Sequence, residues 1–171
     1  DELGRDYLWR VHRQVPANGE IAIFNRSHYE DVLVPRARGH QTRSEQQQRL
    51  GHIADFERML SDEGTTIIKC YLHISIDEQR QRLQDRLDDP SKHWKFDYSD
   101  IREREYWDGY MKAYQDALAA TSHHHAPWYV IPANHKWVRD LVVSAILVDT
   151  LQRLRMRYPP APEGLDKVKL D

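Results

Sequence analysis

The chain has a single cysteine, Cys70, so no disulfide bond can form within it. This cysteine usage fits a reducing compartment, and we expect the cytoplasm. No apolar run approaches the roughly 18 residues of a membrane-spanning helix, and the first residues contain no apolar signal core, so we expect a soluble protein without a membrane partner. An excess of one charge is also missing: 25 Lys and Arg against 27 Asp and Glu leave a net charge of −2, which argues against a nucleic-acid-binding protein.

A phosphate-binding loop is missing as well. No G-x-x-x-x-G-K-[ST] motif occurs in these residues, so a phosphate site formed by this chain would lack the usual cradle of backbone N–H groups and its lysine. The composition does argue for a folded protein, because 40% of the residues are hydrophobic. A chain of 171 residues is long enough for one domain with its own core.

Short apolar strands alternate with amphipathic helices along the chain. β-branched and aromatic runs predict strands at 20–24, 65–74 and 126–131. Apolar residues at helical spacing predict the helices, which lie at 2–15, 45–62, 77–88, 99–121 and 135–157, with a helical turn at 28–34. This alternation predicts an α/β fold with a parallel sheet, in which ligands bind beyond the carboxyl ends of the strands. His73 and the aromatic residues of 106–114 are predicted to be core residues.

Polar and charged side chains end the first predicted strand. In EIAIFNRSHYEDVL, residues 20–33, the apolar run stops at Asn25 and Arg26, and Glu30 and Asp31 follow about a turn later. A guanidinium suits phosphate oxygens and a carboxylate suits hydrated Mg²⁺, so this stretch could serve phosphoryl transfer. The alternative is an N-capped helix with surface charges, and the spacing alone does not decide between the two.

Cations cluster locally although the net charge is small. Lys92 and Lys95 flank Trp94 in a segment that Pro90 keeps from being regular helix. The arginines that add to this surplus are Arg36, Arg38, Arg43, Arg80, Arg82, Arg86, Arg102 and Arg104. Such cations could line a track for a linear polyanion. The alternative is a set of solvated helix faces with acidic ion-pair partners, which we favour for residues 77–88 but not for the two lysines.

Four long segments of the chain resemble the type-2 polyphosphate kinase family, specifically its polyphosphate:AMP phosphotransferase-like branch. The segments are DYLWRVHRQVPANGEIAIFNRSHYEDVLVPR, DFERMLSDEGTTIIKCYLHISIDEQRQRLQDRLDDPSKHWKFD, YWDGYMKAYQDALAATS and APWYVIPANHKWVRDLVVSAILVDTL. They follow the family order over nearly the whole chain, which makes the signal far stronger than a single short motif.

The resemblance implies a P-loop kinase fold, similar to thymidylate kinase, with a helical lid at about 35–61. Phe24-Asn25-Arg26-Ser27 would occupy the Walker B region, with Arg26 on phosphates. Other branches of the family have Asp where Asn25 stands, so Glu30 would take over the carboxylate on the metal side. Arg80, Lys92 and Lys95 would lie among the basic groups of the polyphosphate path.

The implied reaction is reversible phosphoryl transfer between inorganic polyphosphate and AMP or ADP, with Mg²⁺ as cofactor. The first strand and the Gly-rich phosphate loop of the family belong upstream of residue 1. We therefore expect residues 1–171 to be the C-terminal part of such a kinase domain and to be inactive alone. Since these kinases commonly associate, we also expect a homo-oligomer.

Two other functions stay open on the sequence. One is a nucleoside monophosphate kinase that uses ATP, which the choice of phosphoryl donor would separate from the first hypothesis. The other is a non-catalytic domain that binds polyphosphate or nucleotide, which the presence of a Gly-rich loop in the intact protein would exclude.

Overall fold

The computed structural model of the chain describes residues 4–164. Its helices and strands run in the order α1 Trp9–His12, α2 Glu30–Ala37, α3 Arg43–Asp62, β1 Lys69–His73, α4 Ile76–Asp88, α5 Tyr98–Glu103, α6 Trp107–Thr121, β2 Trp128–Pro132 and α7 Lys136–Arg153. Two 3₁₀ segments, Pro90–Lys95 and Arg104–Tyr106, flank α5.

The two strands form a parallel pair. Lys69 lies opposite Trp128, and His73 lies opposite Pro132. The connection between the strands contains α4, α5 and α6, which confirms the predicted α/β class with a parallel sheet and flanking helices. β1 is shorter than the predicted 65–74 because its partner offers only five residues for the hydrogen-bond ladder.

The prediction of a buried strand at 20–24 is wrong for this structure. These residues form no regular element, and Ile21 and Ile23 are 76% and 90% exposed. The apolar pattern reflects the β-strand propensity of residues 20–24. A strand also needs a neighbouring strand that pairs with its backbone hydrogen-bonding groups. Among residues 4–164 no strand lies beside it.

The first predicted helix, 2–15, is also much shorter than expected. Residues 2 and 3 lie outside the described range, and only Trp9–His12 is α-helical. Val11 is its one buried side chain, so little packing supports a longer helix. The predicted helix at 99–121 is divided at Arg104–Tyr106, where Glu103 accepts hydrogen bonds from Arg38 and Tyr110.

The core lies between α2, α3 and α6. Its buried residues are Tyr29, Val32, Leu33, Leu50, Ile53, Ala113 and Ala117. The approach of α2 to α6 depends on Gly109, since a Cβ atom there would lie 2.5 Å from the carbonyl oxygen of Ala37. This close packing holds the C-terminal end of α2 against α6.

The segment predicted as a lid, 35–61, comprises the end of α2 and most of α3. α3 begins with a capping box between Thr42 and Glu45 and contributes the buried Leu50 and Ile53 to the core. Movement of this segment stays a prediction. In the part of the chain from residue 4 to residue 164, no helix is both long and apolar enough to cross a membrane.

Candidate functional site

A shallow depression lies beside the polar stretch that sequence analysis singled out. Its volume is about 310 Å³. The lining residues are Gln14, Ala22, Ile23, Phe24, Asn25 and Arg26. The structure thus places two of the predicted site residues, Asn25 and Arg26, in the wall of one concave surface.

The backbone of Arg26 is strained. Its φ of +70° lies in the left-handed region, which a residue with a Cβ atom seldom adopts. Such strain is found most often at functional sites, where the surrounding structure holds it in place.

The guanidinium of Arg26 is open to solvent. Its Nε lies 3.4 Å from Oε1 of Glu30, one helical turn later, and the two side chains are 79% and 43% exposed. An exposed pair of this kind contributes little to stability. The guanidinium can therefore exchange Glu30 for a more highly charged anion at low cost.

Two tyrosines connect this pair with the carboxyl end of β1. Burial raises the pKa of Tyr114, Glu30 raises it further and Arg26 lowers it, so both charged groups act on this phenol. The ring of Tyr114 stacks on Tyr71 of β1, with centroids 4.4 Å apart, and the Tyr71 hydroxyl lies 3.3 Å from Nδ1 of His73. Arg26 and Glu30 thus lie within electrostatic range of a tyrosine that stacks on β1, the strand beyond whose carboxyl end ligands bind in such folds.

The tyrosines stay protonated at neutral pH and can donate hydrogen bonds. Burial, with a smaller contribution from Tyr114, raises the pKa of Tyr71 to about 12. Phenol donors near a guanidinium suit an anion with several oxygen atoms.

Sequence reasoning missed these neighbours of the site. It predicted His73 as a buried core residue, which is wrong because His73 is exposed. The signal that could have found them is the two-residue period of a strand: Tyr71 and His73 point to the same face at the end of β1.

The two carboxylates predicted for a metal differ in their surroundings. Asp31 is held by Arg10, whose Nη2 donates to both of its oxygens at 2.8 and 2.9 Å. The carboxylate of Glu30 is half exposed and pairs with Arg26, which lines the depression. Its oxygen atoms are ligands of the kind that Mg²⁺ prefers, and a hydrated ion can reach them from solvent. Among residues 4–164 no three His, Cys, Asp or Glu side chains come together as metal ligands would. The metal role of Glu30 stays a prediction. The ion pair with Arg10 makes Asp31 a poor candidate for a metal ligand.

The predicted phosphate-binding cations lie on other elements. Lys92 pairs with Asp89, with Nζ 2.8 Å from Oδ2, and the ammonium of Lys95 lies 4.9 Å from the centre of the Trp94 ring. Arg80 is exposed on α4 and has no ion-pair partner among the described residues. Within residues 4–164 no hydrogen bond or ion pair joins these three cations to Asn25, Arg26 or Glu30.

Most of the remaining arginines in the cationic surplus are neutralised. The pairs are Arg38 with Glu103, Arg43 with Asp116, Arg82 with Glu78 and Arg86 with Asp100. Arg82 also donates to the carbonyl oxygens of Ala133 and Asn134, so it ties α4 to the end of β2. For these residues the structure agrees with the interpretation as surface ion pairs.

Comparison with known proteins gives consistent matches. The model of the family "Polyphosphate kinase 2 (PPK2)" matches residues 1–159. The AMP/ADP-polyphosphate phosphotransferase of Meiothermus ruber is 57% identical over 170 residues, which cover 99% of this chain and 64% of that protein. The ADP-polyphosphate phosphotransferase of Rhodopseudomonas palustris is 42% identical over 170 residues, or 92% of this chain and 59% of that protein.

A solved structure shares the fold as well. The crystal structure of polyphosphate kinase 2 from Arthrobacter aurescens TC1 superposes with a TM-score of 0.94 at 48% identity, over 97% of this chain and 59% of that one. The chain thus spans 59–64% of the length of these three relatives.

Proposed function

The chain belongs to the polyphosphate kinase 2 family, and from this premise we propose that the protein transfers phosphoryl groups reversibly between inorganic polyphosphate and AMP or ADP. Supporting this proposal are the names of the relatives and their identity to this chain over nearly its whole length. The structural observation that favours it most is the exposed guanidinium of Arg26 at the rim of the depression.

The chemistry that this site would perform is mostly electrostatic. Phosphoryl transfer requires that donor and acceptor oxygens be held in line and that charge on the transferring group be neutralised. In our proposal Arg26 leaves Glu30 and binds phosphate oxygens with its planar fork of donors. The amide of Asn25 would orient the same group.

Mg²⁺ is part of the proposal as a cofactor. When bound, it would neutralise charge on the phosphates, and its ligands would be phosphate oxygens, waters and one or two carboxylates. Glu30 is the described residue that would help hold it.

Arg80, Lys92 and Lys95 would guide the rest of a long polyanion. All three are exposed, and cations spaced along a surface attract a chain of phosphates more than they attract a compact ligand. This favours polyphosphate over ATP as the donor, since a long chain of phosphates can contact more cations at once than the three phosphates of ATP can.

The location of the enzyme and its partners are proposed from composition and side-chain exposure. The single cysteine fits the cytoplasm, and the small net charge gives no reason to expect a nucleic-acid partner. α7 exposes Trp137, Leu141 and Val148 at 69%, 62% and 54%. An apolar face of this kind supports burial against further protein, including a second copy in a homo-oligomer.

The choice of donor tests the proposed function. The intact protein is incubated with Mg²⁺ and AMP or ADP, with either polyphosphate or ATP as donor, and the nucleotides are separated by anion-exchange chromatography. We expect ADP and ATP to form from polyphosphate. Turnover with ATP alone would favour a nucleoside monophosphate kinase, and binding without turnover with either donor would favour a non-catalytic domain.

A further inference from the structure

A buried polar network includes Tyr29, which follows Arg26 by three positions. Lys69, the first residue of β1, and Glu57 of α3 are 7% and 2% exposed, and Nζ of Lys69 lies 2.5 Å from Oε2 of Glu57. The same ammonium donates to the Tyr29 hydroxyl at 3.1 Å and to the carbonyl oxygen of Thr121 at 2.7 Å. Tyr29 in turn donates to Oε1 of Glu57 at 2.9 Å.

Every donor of the network has a partner. An ammonium group has three N–H donors, and Lys69 directs them at Glu57, Tyr29 and Thr121. Burial raises the pKa of Tyr29, and so does Glu57, so this hydroxyl remains a donor at any physiological pH. Burial lowers the pKa of Lys69, while Glu57 opposes that shift.

Such a network is a poor way to gain stability. Two buried charges lose their hydration, and apolar side chains of the same volume often serve a fold as well or better. What a satisfied network does provide is one defined arrangement of the elements that it joins. Here it joins β1, α3, the end of α6 and the residue that precedes α2.

That last residue, Tyr29, follows Arg26 by three positions. Between them the chain is short and held at several points. The amide of Tyr29 contacts Oγ of Ser27 at 3.4 Å, and the amide of Glu30 donates to the carbonyl oxygen of Ser27 at 3.0 Å. The ring of His28 packs on Tyr29 with centroids 4.9 Å apart. The left-handed backbone of Arg26 is therefore connected within one helical turn to the buried network of Tyr29, Glu57 and Lys69.

We propose that Tyr29, Glu57 and Lys69 are positioning residues of the site: they fix the start of α2 so that Arg26 stays in its strained conformation and presents its guanidinium to the depression. This inference rests on the proposed function, because it assigns the three residues an effect on phosphoryl transfer. They act through Arg26.

A double-mutant cycle in the intact protein tests this. Tyr29→Phe keeps the ring and removes only the hydroxyl that donates to Glu57 and accepts from Lys69. We expect kcat to fall roughly 10- to 100-fold with little change in the KM for the nucleotide, because a displaced group costs mainly transition-state stabilisation. In an Arg26→Ala background the same substitution should change kcat less than about twofold, since the group that the network positions is already gone.

Tyr7→Phe is the matched control. Its hydroxyl also donates one hydrogen bond, to the carbonyl oxygen of Arg49 at 2.9 Å, and the ring also packs on the core. We expect it to leave kcat within about twofold of the parent in both backgrounds, since its hydroxyl contacts none of Tyr29, Glu57 and Lys69. A loss of kcat by Tyr29→Phe that is the same with and without Arg26 would overturn the proposal, and so would a Tyr29→Phe enzyme with parental kcat.

A second readout does not depend on activity. Amide hydrogen exchange at Glu30 and Asp31 should be faster in Tyr29→Phe than in the parent, and unchanged in Tyr7→Phe. If the parent protein transfers no phosphoryl group, the proposed function fails. The comparison of exchange rates then still tests whether Tyr29 fixes the start of α2. Unchanged exchange at both amides would overturn the positioning role whatever the activity.

Discussion

At the scale of single residues, Arg26 is the side chain on which the proposed phosphoryl transfer depends most. It combines an exposed guanidinium, a strained backbone and a place in the wall of the depression. The sequence was sufficient to nominate it, because a basic residue after an apolar run is a recognisable pattern. Its left-handed φ could not be foreseen, since neither the residue type nor its neighbours in the sequence indicate a positive φ for an arginine.

Two substitutions separate the strain at Arg26 from the function of its side chain. Both Arg26→Ala and Arg26→Gly remove the guanidinium, so we expect each to lower kcat roughly 100-fold or more. Glycine adopts φ of +70° freely, so Arg26→Gly should be more stable than Arg26→Ala by about 1 kcal/mol in urea unfolding.

Arg58→Ala is the control for charge. Arg58 is an exposed arginine of α3 that pairs with Asp55 and Asp62, and we expect its loss to leave turnover unchanged. Parental turnover in Arg26→Ala would remove this arginine from the site.

Glu30 and Asp31 are neighbours with different expected roles. Glu30→Gln should raise the Mg²⁺ concentration for half-maximal turnover, because it removes the accessible carboxylate beside the depression. Asp31→Asn should not, because Arg10 already occupies that carboxylate. A Mg²⁺ titration of turnover in both variants checks this. Equal half-saturation in Glu30→Gln and the parent would refute the metal role of Glu30.

At the scale of elements, the 3₁₀ segment Pro90–Lys95 places the predicted lysines. Asp89 caps it by accepting from the amide of Ser91 at 3.0 Å, and Lys92, followed by the Ser91 hydroxyl, holds the pKa of Asp89 at about 2. The pair with Lys92 is therefore charged at neutral pH. In the free protein this carboxylate competes with any phosphate for Lys92.

Asp89→Asn should remove that competition while keeping the cap, since an amide oxygen also accepts from Ser91. We expect polyphosphate to bind a few-fold more tightly at low salt, with the gain fading as ionic strength rises. Asp88→Asn is the matched control, because it changes the net charge by the same amount at the neighbouring residue. Asp88 accepts a hydrogen bond from Gln84 and does not pair with Lys92. Calorimetric titration at two salt concentrations gives the comparison, and equal affinities in the two variants would exclude Lys92 from the polyphosphate path.

The packing of α6 on α2 gives a second prediction at this scale. Gly109→Ala should destabilise the protein by roughly 1–3 kcal/mol, because its Cβ atom would meet the carbonyl of Ala37. Gly51→Ala, in α3, meets no atom within 4 Å and should stabilise it by about 0.5–1 kcal/mol. Urea unfolding measures both. A Gly109→Ala protein as stable as the parent would mean that α2 and α6 lie farther apart than described.

Element by element, the sequence predicts helices better than strands. α3 and α4 begin within two residues of their predicted starts, because apolar spacing and the caps at Thr42 and Ser75 are local signals. The strand predicted at 20–24 fails because pairing depends on a partner that local sequence does not specify. Tyr71 and Tyr114 were missed as neighbours of the site for the same reason: their contact joins a strand and a helix that are far apart in the chain.

At the scale of the whole molecule, two groups of charges are held by different parts of the fold. Asn25 and Arg26 precede α2 and Glu30 begins it, while Lys92 and Lys95 lie on the 3₁₀ segment after α4. A chain of many phosphates can engage both groups at once if they share one path, which is the physical reason for proposing polyphosphate as the donor. The family match supports the same preference over residues 1–159.

The most direct test of this account is a crystal structure of the intact protein with bound polyphosphate. We predict phosphate oxygens within about 2.7–2.9 Å of the Arg26 guanidinium, which has left Glu30, and a chain that continues toward Lys92 and Lys95. A bound chain elsewhere on the surface, with Arg26 still paired to Glu30, would contradict it.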